Sequence, residues 1–171
     1  MASHATGDGS IPPRDATERG LKRIMTVGGA YGTRNYTVKD LRDQKGKKVL
    51  VETATFSPEE AAAAEQAGID TIKVRFDPAH PDLVAAMRKA APNTFMAFSV
   101  PLVAAASEVE AVRLGYDAMA LGADALMCQW SPRFVKTATE AGTPVQGHAG
   151  LVPRKSTWPG GLQGVGKTKA A

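Results

Sequence analysis

Three residues that could bind a metal follow short apolar runs of the sequence. Asp77 and His80 come directly after the run at 71 to 76, and His148 ends the run at 143 to 148. Aspartate and histidine are common metal ligands, so these three could form a site if the strand ends meet. Their spacing is not that of one helix face, so a helix cap at Asp77 and two loop histidines explain the same letters.

Charged residues inside the runs suggest a role in binding or proton transfer. Lys73 and Arg75 lie on one face of their run, because side chains alternate along a strand, and two such cations can bind a carboxylate. Glu52 could act as a base if burial raised its pKa, or it could pair with Lys73 or Arg75. Cys128 lies inside an apolar run and is predicted to be a buried, unreactive thiol.

Residues 161 to 168 carry the letters GxxxxGK[ST] of a phosphate-binding loop. In such a loop Lys167 would reach phosphates and Thr168 would bind magnesium. The loop must follow a buried strand and begin a helix whose amides face the anion. The preceding residues 154 to 160 are polar and include Pro159. We therefore expect no nucleotide here, and a nucleotide-binding protein is kept as the last alternative function.

The elements that position these residues form a repeating pattern of a β-rich run, a helix and a glycine. Serines mark the helix starts and glycines mark the helix ends. Nearly all-apolar strands that alternate with helices are typical of a parallel sheet. The five runs lie at 48 to 54, 71 to 76, 94 to 100, 124 to 129 and 143 to 148, the starts at Ser57, Ser107 and Ser131, and the ends at Gly68, Gly122 and Gly142.

Parallel βα units form either a closed barrel or an open doubly wound sheet. The first run is followed by TFSPEE and not by a glycine-rich phosphate loop, which favours a barrel. Eight strands normally need about 250 residues, and five or six units fit into 171. The predicted fold class is therefore α/β, of the (β/α)8 TIM-barrel type, incomplete in this chain. The barrel domain is predicted at 36 to 171, truncated at its C-terminus, after a flexible arm at 1 to 35.

The composition argues against several classes of partner. Lys and Arg total 21 against 17 Asp and Glu, and this net charge of +4 is too small to predict a nucleic-acid surface. No apolar run approaches the roughly 20 residues of a membrane span, and the first residues lack a secretory h-region, so we expect a cytoplasmic protein without a membrane partner. An incomplete barrel leaves strand edges unpaired, which predicts a homo-oligomer or a complementing chain.

Residues 36 to 168 resemble the ketopantoate hydroxymethyltransferase (3-methyl-2-oxobutanoate hydroxymethyltransferase) family, which belongs to the phosphoenolpyruvate mutase and isocitrate lyase superfamily. YTVKDL at 36 to 41 and KKVLVETA at 47 to 54 are similar to the family's opening helix and first strand. AGTPVQGHAGLVP at 141 to 153 resembles the family's GIPVMGHIGLTPQ segment, and GGLQGVGKT at 160 to 168 resembles its later GG, QG and KT positions. The resemblance thus explains the phosphate-loop letters without a nucleotide.

The resemblance implies transfer of a one-carbon unit from methylenetetrahydrofolate to 2-oxoisovalerate, a step of pantothenate biosynthesis. It also implies a divalent metal, usually Mg²⁺, that is held by two aspartates and stabilises an enolate. Those two aspartates align here with Phe76 and Ser99, and a family lysine and glutamate align with Met127 and Gln129. A shift by one residue would make Asp77 the ligand, but such a shift reverses the face of the strand.

The sequence therefore predicts a hydroxymethyltransferase-like protein whose pocket differs from that of the family. The expected substrate-binding residues are Asp77, Ser99, Gln129 and His148, with Asp77 also the metal candidate and no catalytic residue assigned. The expected ligand is a small 2-oxo acid or related carboxylate, and Mg²⁺ and methylenetetrahydrofolate are the cofactors if the family reaction is retained. The main alternative is a catalytically inactive homologue that serves as a binding or assembly subunit.

Overall fold

A five-stranded parallel sheet is the centre of the computed structural model, which describes residues 20 to 168. A two-stranded antiparallel hairpin precedes it. The strands are β1 (Lys22–Met25), β2 (Tyr31–Arg34), β3 (Glu52–Thr55), β4 (Thr71–Arg75), β5 (Phe95–Ser99), β6 (Ala125–Cys128) and β7 (Val145–Gly147). The helices are α1 (Val38–Asp43), α2 (Pro58–Gln66), α3 (Pro81–Ala90), α4 (Glu108–Ala120) and α5 (Pro132–Glu140).

The order of the strands in the sheet is the order of the chain, β3 to β7, and every neighbouring pair is parallel. A helix lies between each strand and the next. This is the arrangement of part of a (β/α)8 barrel, and it confirms the predicted fold class. Within residues 20 to 168, no helix is long and apolar enough to cross a membrane.

The helix ends follow the local signals of the sequence. A serine hydroxyl accepts a hydrogen bond from the amide three residues on at the starts of α2, α4 and α5, namely Ser57, Ser107 and Ser131. Glu60 folds back to accept from the amide of Phe56 at 2.7 Å, one residue before the capping serine. The three stop glycines adopt the left-handed conformation that only glycine adopts readily: Gly68 at φ 75°, Gly122 at φ 94° and Gly142 at φ 95°.

The two faces of the sheet have different partners. Alternate residues of the strands pack against the helices and form the main core, and they include Ile72, Val74, Phe98 and Leu126. On the opposite, inner face, Phe95, Ala97 and Ala125 pack with Val38 and Leu41 of α1 and with Tyr36 and Met127. Helix α1 therefore covers part of the inner face. A helix near residues 36 to 41 was expected from the resemblance, but its position on this face was not.

The first strand of the sheet begins later than predicted. The run at 48 to 54 was expected to be a strand, whereas β3 spans Glu52–Thr55. Its ladder starts where Glu52 pairs with Thr71, the first residue of β4. Because β4 does not extend further toward the amino end, the residues before Val51 have no ladder partner among those described. Val49 is 87% exposed as a result.

Residues 22 to 34 differ from the flexible arm that was predicted for residues 1 to 35. They form the β1–β2 hairpin, in which Lys22 pairs with Arg34 and Met25 with Tyr31. Contacts with distant parts of the chain hold it in place, because Arg34 is buried and hydrogen-bonds to Asp124. Local periodicity cannot reveal such contacts. Residues 1 to 19 of the predicted arm and residues 169 to 171 of the predicted barrel domain lie outside the described part of the chain.

Candidate functional site

A row of polar residues lies at the carboxyl ends of the parallel strands, on the inner face of the sheet. Register partners in a parallel sheet project to the same face. Arg75 pairs with Ser99, Ser99 with Met127, and Met127 with Gln146. Barrel enzymes bind substrates at this end, because loops and side chains from several strands converge there. We call this row, extended by Gln129 and His148, the strand-end row.

Glu52 and Lys73 form an ion pair below this row. Lys73 Nζ lies 2.6 Å from Glu52 Oε1, and the Thr71 hydroxyl donates to Glu52 Oε2 at 3.3 Å. This confirms the reading in which Glu52 pairs with Lys73. Because each charge already has a partner, neither residue is the first choice for binding a charged ligand.

Arg75 carries the cation of the strand-end row that is free to bind a ligand. It is exposed, and within residues 20 to 168 no carboxylate lies within ion-pair distance of its guanidinium. Arg75 lines a pocket of about 260 Å³ between the ends of β3 and β4 and helix α3, and no other residue of the strand-end row lines it. The other lining residues are Thr55, Phe56, Asp77, His80, Leu83 and Met87. A guanidinium offers a planar fork of donors that matches a carboxylate.

Asp77 lies just after the carboxyl end of β4, and both of its carboxylate oxygens contact residues of the following turn. One oxygen accepts from the amide of Ala79 at 3.0 Å, and the other lies 3.1 Å from His80 Nδ1. These contacts, first that with His80 and then that with Ala79, lower the pKa of Asp77. The predicted helix cap at Asp77 is wrong, because the N-cap of α3 is His80 and no side chain caps the helix. Asp77 instead contacts residues of the turn before α3.

Ser99 lies in the middle of the row, between β4 and β6. Its hydroxyl lies 3.9 Å from Met127 Sδ, and a thioether is a weak acceptor. The Ser99 proton is therefore available to a stronger acceptor in the pocket. A hydroxyl is a poor replacement for a carboxylate as a ligand of a hard cation.

Gln129 and His148 form the far end of the row. Gln129 Nε2 lies 3.2 Å from His148 Nδ1, so this ring nitrogen accepts if the amide nitrogen is the donor. The backbone amide of His148 donates to the carbonyl of Cys128 at 2.9 Å and fixes the position of the histidine. Gln129 Oε1 is buried without a hydrogen-bond partner within the described part of the chain.

The predicted trio of Asp77, His80 and His148 does not come together. Asp77 and His80 follow β4, whereas His148 follows β7, and β5 and β6 lie between them. At about 4.8 Å per strand, the separation is roughly 14 Å. Within residues 20 to 168 no three His, Cys, Asp or Glu side chains are grouped so that they could hold a metal ion. The donor set of the strand-end row therefore does not fit the Mg²⁺ that the resemblance implies.

Phe76 is not part of this pocket. Its side chain is 1% exposed and belongs to the core between the sheet and the helices, and its ring lies 5.7 Å from that of Phe98. The prediction that Phe76 replaces a metal ligand in the pocket is wrong, because the two-residue period of the strand points Phe76 to the helices and Arg75 to the inner face. Cys128 points to the same core, and its burial raises the pKa of the thiol.

The segment at 161 to 168 lacks the surroundings of a phosphate-binding loop. A short 3₁₀ turn, Pro153–Lys155, precedes it in place of a strand. Its residues form no helix up to residue 168, and their side chains are exposed. The amides that would cradle a phosphate at a helix start are therefore not arranged here.

The opposite, amino end of the sheet holds polar contacts that sequence reasoning missed. Asp124 accepts from Arg34 Nε at 2.7 Å and from Arg88 Nη2 at 3.1 Å. Glu65 accepts from the amides of Asn93 and Thr94 at 2.9 and 2.8 Å. In barrels, groups at this end serve stability and not catalysis. No motif marks these residues, because their partners are 28 to 90 positions away.

The fold defines an α/β protein of the barrel type, with the polar residues of the strand-end row at the carboxyl ends of its strands. No protein-family model matches the chain. Curated relatives do match it, and they are named 3-methyl-2-oxobutanoate hydroxymethyltransferase. The relative from Kosmotoga olearia is 30% identical over 151 residues, which cover 77% of this chain and 57% of the relative. The relative from Thermotoga maritima is 30% identical over 152 residues, with 77% and 56% covered.

A relative with the same name from Thermus thermophilus is 33% identical over 150 residues, which cover 75% of this chain and 57% of the relative. Over about three quarters of its length the chain is therefore similar to proteins named 3-methyl-2-oxobutanoate hydroxymethyltransferase. It spans a little over half the length of the relatives that it matches.

Proposed function

We propose that this chain binds a small 2-oxo acid at the strand-end row, with Arg75 as the anchor of the carboxylate. The observation that carries the proposal is the free, exposed guanidinium of Arg75 at the carboxyl end of β4, next to Ser99 in the register. The names of the relatives give 3-methyl-2-oxobutanoate as their substrate. A branched 2-oxo acid is therefore the first ligand to test.

The two oxygens of the carboxylate would meet the guanidinium fork, and the 2-oxo oxygen would meet the hydroxyl of Ser99 on the neighbouring strand. Among the described residues, the Ser99 hydroxyl has the sulfur of Met127 as its acceptor, so it can donate to the ligand. Gln129 and His148 lie two and three strands from Arg75, roughly 10 to 14 Å away. A short ligand therefore lies across the ends of β4 and β5 and does not extend to His148.

The same row supports binding without the hydroxymethyl transfer for which the relatives are named. Removing a proton beside a 2-oxo group requires strong stabilisation of the resulting enolate, and the residues present do not fit a two-carboxylate metal centre. Ser99 offers a hydroxyl, Met127 a thioether and Gln129 an amide. We therefore propose a binding protein derived from the hydroxymethyltransferase fold, and expect no methylenetetrahydrofolate-dependent turnover.

Isothermal titration of 3-methyl-2-oxobutanoate into the wild-type protein and into Arg75→Gln tests the proposal. Loss of a charged hydrogen bond costs about 1.5 to 3 kcal/mol, which corresponds to a roughly 10- to 150-fold weaker Kd. Arg113→Gln is the matched control, because Arg113 is an exposed arginine on α4, and it should bind as the wild type does. Equal affinity for the wild type and Arg75→Gln would refute the role of Arg75.

A turnover assay separates this proposal from the family reaction. The wild-type protein is incubated with 3-methyl-2-oxobutanoate, methylenetetrahydrofolate and Mg²⁺, and the hydroxymethylated product is measured by mass spectrometry. We expect no product above the protein-free reaction. Product that depends on both Mg²⁺ and the protein would show that the transfer is retained and would overturn this part of the proposal.

A further inference from the structure

We propose that Lys73 forms an imine with the 2-oxo group of the acid that Arg75 binds, so that a covalent bond holds the ligand in addition to its carboxylate. The inference rests on the proposed function, because it requires a 2-oxo acid at the end of β4. A lysine amine is the side chain that forms Schiff bases with carbonyl compounds. Among the described residues, strands β3 to β7 contain one lysine, which is Lys73.

The position of Lys73 on β4 places its amine within reach of the bound acid. Lys73 lies two residues before Arg75, and side chains two positions apart in a strand project to the same face. At about 3.3 Å per residue, their Cα atoms are roughly 7 Å apart. The 2-oxo carbon is bonded directly to the carboxylate carbon. A carboxylate on the guanidinium of Arg75 therefore brings the 2-oxo carbon toward the flexible four-carbon side chain of Lys73.

The neighbours of Lys73 across the sheet are small. Its register partners are Ala54 on β3 and Ala97 on β5, and their side chains project to the same face as that of Lys73. A larger residue at either position would occupy the space through which the amine and the 2-oxo carbon approach each other. The two alanines therefore leave room for the reaction beside Lys73.

Glu52 is an acceptor for the proton that Lys73 must lose. Lys73 Nζ lies 2.6 Å from Glu52 Oε1, and the second oxygen of Glu52 accepts from the Thr71 hydroxyl at 3.3 Å. A protonated amine has no lone pair for attack on a carbonyl, and a carboxylate at hydrogen-bond distance can take its proton directly. Once the proton has moved, the two charges of the ion pair are gone, and the amine is free to turn toward the ligand.

Ser99 is positioned to polarise the carbonyl that is attacked. It pairs with Arg75 in the register and follows Ala97 by two residues, so it projects to the same face. Its hydroxyl lies 3.9 Å from Met127 Sδ, and a thioether is a weak acceptor. A hydroxyl that donates to the 2-oxo oxygen stabilises the negative charge that builds up there during attack.

The step balances without a further reactant. The ammonium of Lys73 gives one proton to Glu52, the amine nitrogen bonds to the 2-oxo carbon, and the electron pair of the carbonyl moves to oxygen. This oxygen takes one proton from the nitrogen and one from Glu52 and leaves as water, while the nitrogen lone pair forms the C=N bond. The products are a protonated imine and water, and nothing is oxidised or reduced. The imine cation lies beside the Glu52 carboxylate, as the lysine did.

Reductive trapping tests the imine. The wild-type protein is incubated with 3-methyl-2-oxobutanoate and sodium cyanoborohydride, which reduces an imine to a stable secondary amine. Intact mass spectrometry should show a single addition, equal to the mass of the acid less one oxygen atom. Peptide mapping should place this addition on Lys73.

Two lysine variants separate the imine from a structural ion pair. Lys73→Arg keeps a positive charge beside Glu52 but has no amine that forms an imine. This variant should lose the adduct and still show heat of binding in the titration, because Arg75 is unchanged. Lys89→Arg is the matched control, because Lys89 is an exposed lysine on α3, and it should keep the adduct. Circular dichroism checks that both variants fold.

The results for the adduct and for the titration distinguish the two proposals. An adduct on Lys73 that Lys73→Arg removes supports the imine. Adducts spread over exposed lysines, or an adduct that persists in Lys73→Arg, overturn it. Heat of binding without an adduct in the wild type overturns the imine and leaves the proposed function standing, whereas neither heat nor adduct overturns both. Mapping of the wild-type protein decides the matter even if Lys73→Arg fails to fold.

Discussion

Replacing Asp124 with asparagine is expected to destabilise the fold more than any other single change of a carboxylate. Asp124 accepts two hydrogen bonds from Arg34 Nε, at 2.7 and 2.9 Å, and one from Arg88 Nη2 at 3.1 Å. The amide of Met96 donates to the same carboxylate at 2.9 Å. Asp124→Asn keeps the shape and one acceptor oxygen but removes the charge that two buried guanidiniums share.

The size of the effect follows from the burial of these three side chains, whose exposed fractions are 5% for Arg34, 12% for Arg88 and 10% for Asp124. Burial, and then the neighbouring guanidinium of Arg34, lowers the pKa of Arg88 to about 10. Removing one partner of a buried ion pair costs about 3 to 5 kcal/mol, because the remaining charge stays buried. We expect a loss of that size in the free energy of unfolding.

Urea denaturation followed by circular dichroism measures this loss, and thermal unfolding should show a Tm lower by roughly 6 to 20 °C. Asp117→Asn is the matched control, because Asp117 is an exposed aspartate on α4, and it should change the stability by less than about 0.5 kcal/mol. A loss below about 1 kcal/mol for Asp124→Asn would refute the view that Asp124 joins the hairpin to the sheet.

Three further outcomes test the local reading of the sequence. Gly68→Ala should lower the free energy of unfolding by about 1 to 2 kcal/mol, as measured by urea denaturation. The cause is backbone strain alone, since φ is +75° and no atom lies within 4 Å of an added Cβ. Gly68→Asn should lower the free energy of unfolding by less. Ser57→Ala should cost about 1 kcal/mol in the same assay, because the amide of Glu60 loses its cap. The thiol of Cys128, 1% exposed with its pKa raised by burial, should react with a chromogenic disulfide only as fast as the protein unfolds, and rapid labelling of the folded protein would contradict its burial.

Local signals made much of the fold predictable. Each of the five predicted runs overlaps a parallel strand, and the capping serines and left-handed glycines stand where they were expected. These features depend on a few consecutive residues, such as Ser57 before Pro58, and on a hydrophobic period that repeats within one element. Short-range physics decides them, so the sequence displays them directly.

Features that depend on distant partners could not be predicted in this way. The β1–β2 hairpin is held by Arg34 and Asp124, which are 90 positions apart. The face of Phe76 depends on the register of β4, and a change of one residue moves a side chain from the pocket to the core. The start of β3 at Glu52 is set by where its neighbour β4 begins. In each case the information lies in the pairing of elements and not in the segment itself.

Some of the predicted site residues could be located from the sequence, and others could not. Ser99, Gln129 and His148 lie on or next to the strand-end row, and Gln129 contacts His148 at 3.2 Å. Their part in binding a substrate stays a prediction. Asp77 lies at the rim and contacts His80. Arg75, which the sequence offered only as one of two cations on a strand face, becomes the principal candidate because Lys73 pairs with Glu52.

Calorimetric titration of 3-methyl-2-oxobutanoate in the presence of a chelator, repeated in millimolar Mg²⁺, tests the central claim most directly. If the guanidinium of Arg75 supplies the charge that the ligand needs, heat of binding appears in both buffers and the two dissociation constants agree within a factor of about two. Binding that appears only when Mg²⁺ is added, or no heat in either buffer, would contradict a 2-oxo acid site that works without a metal.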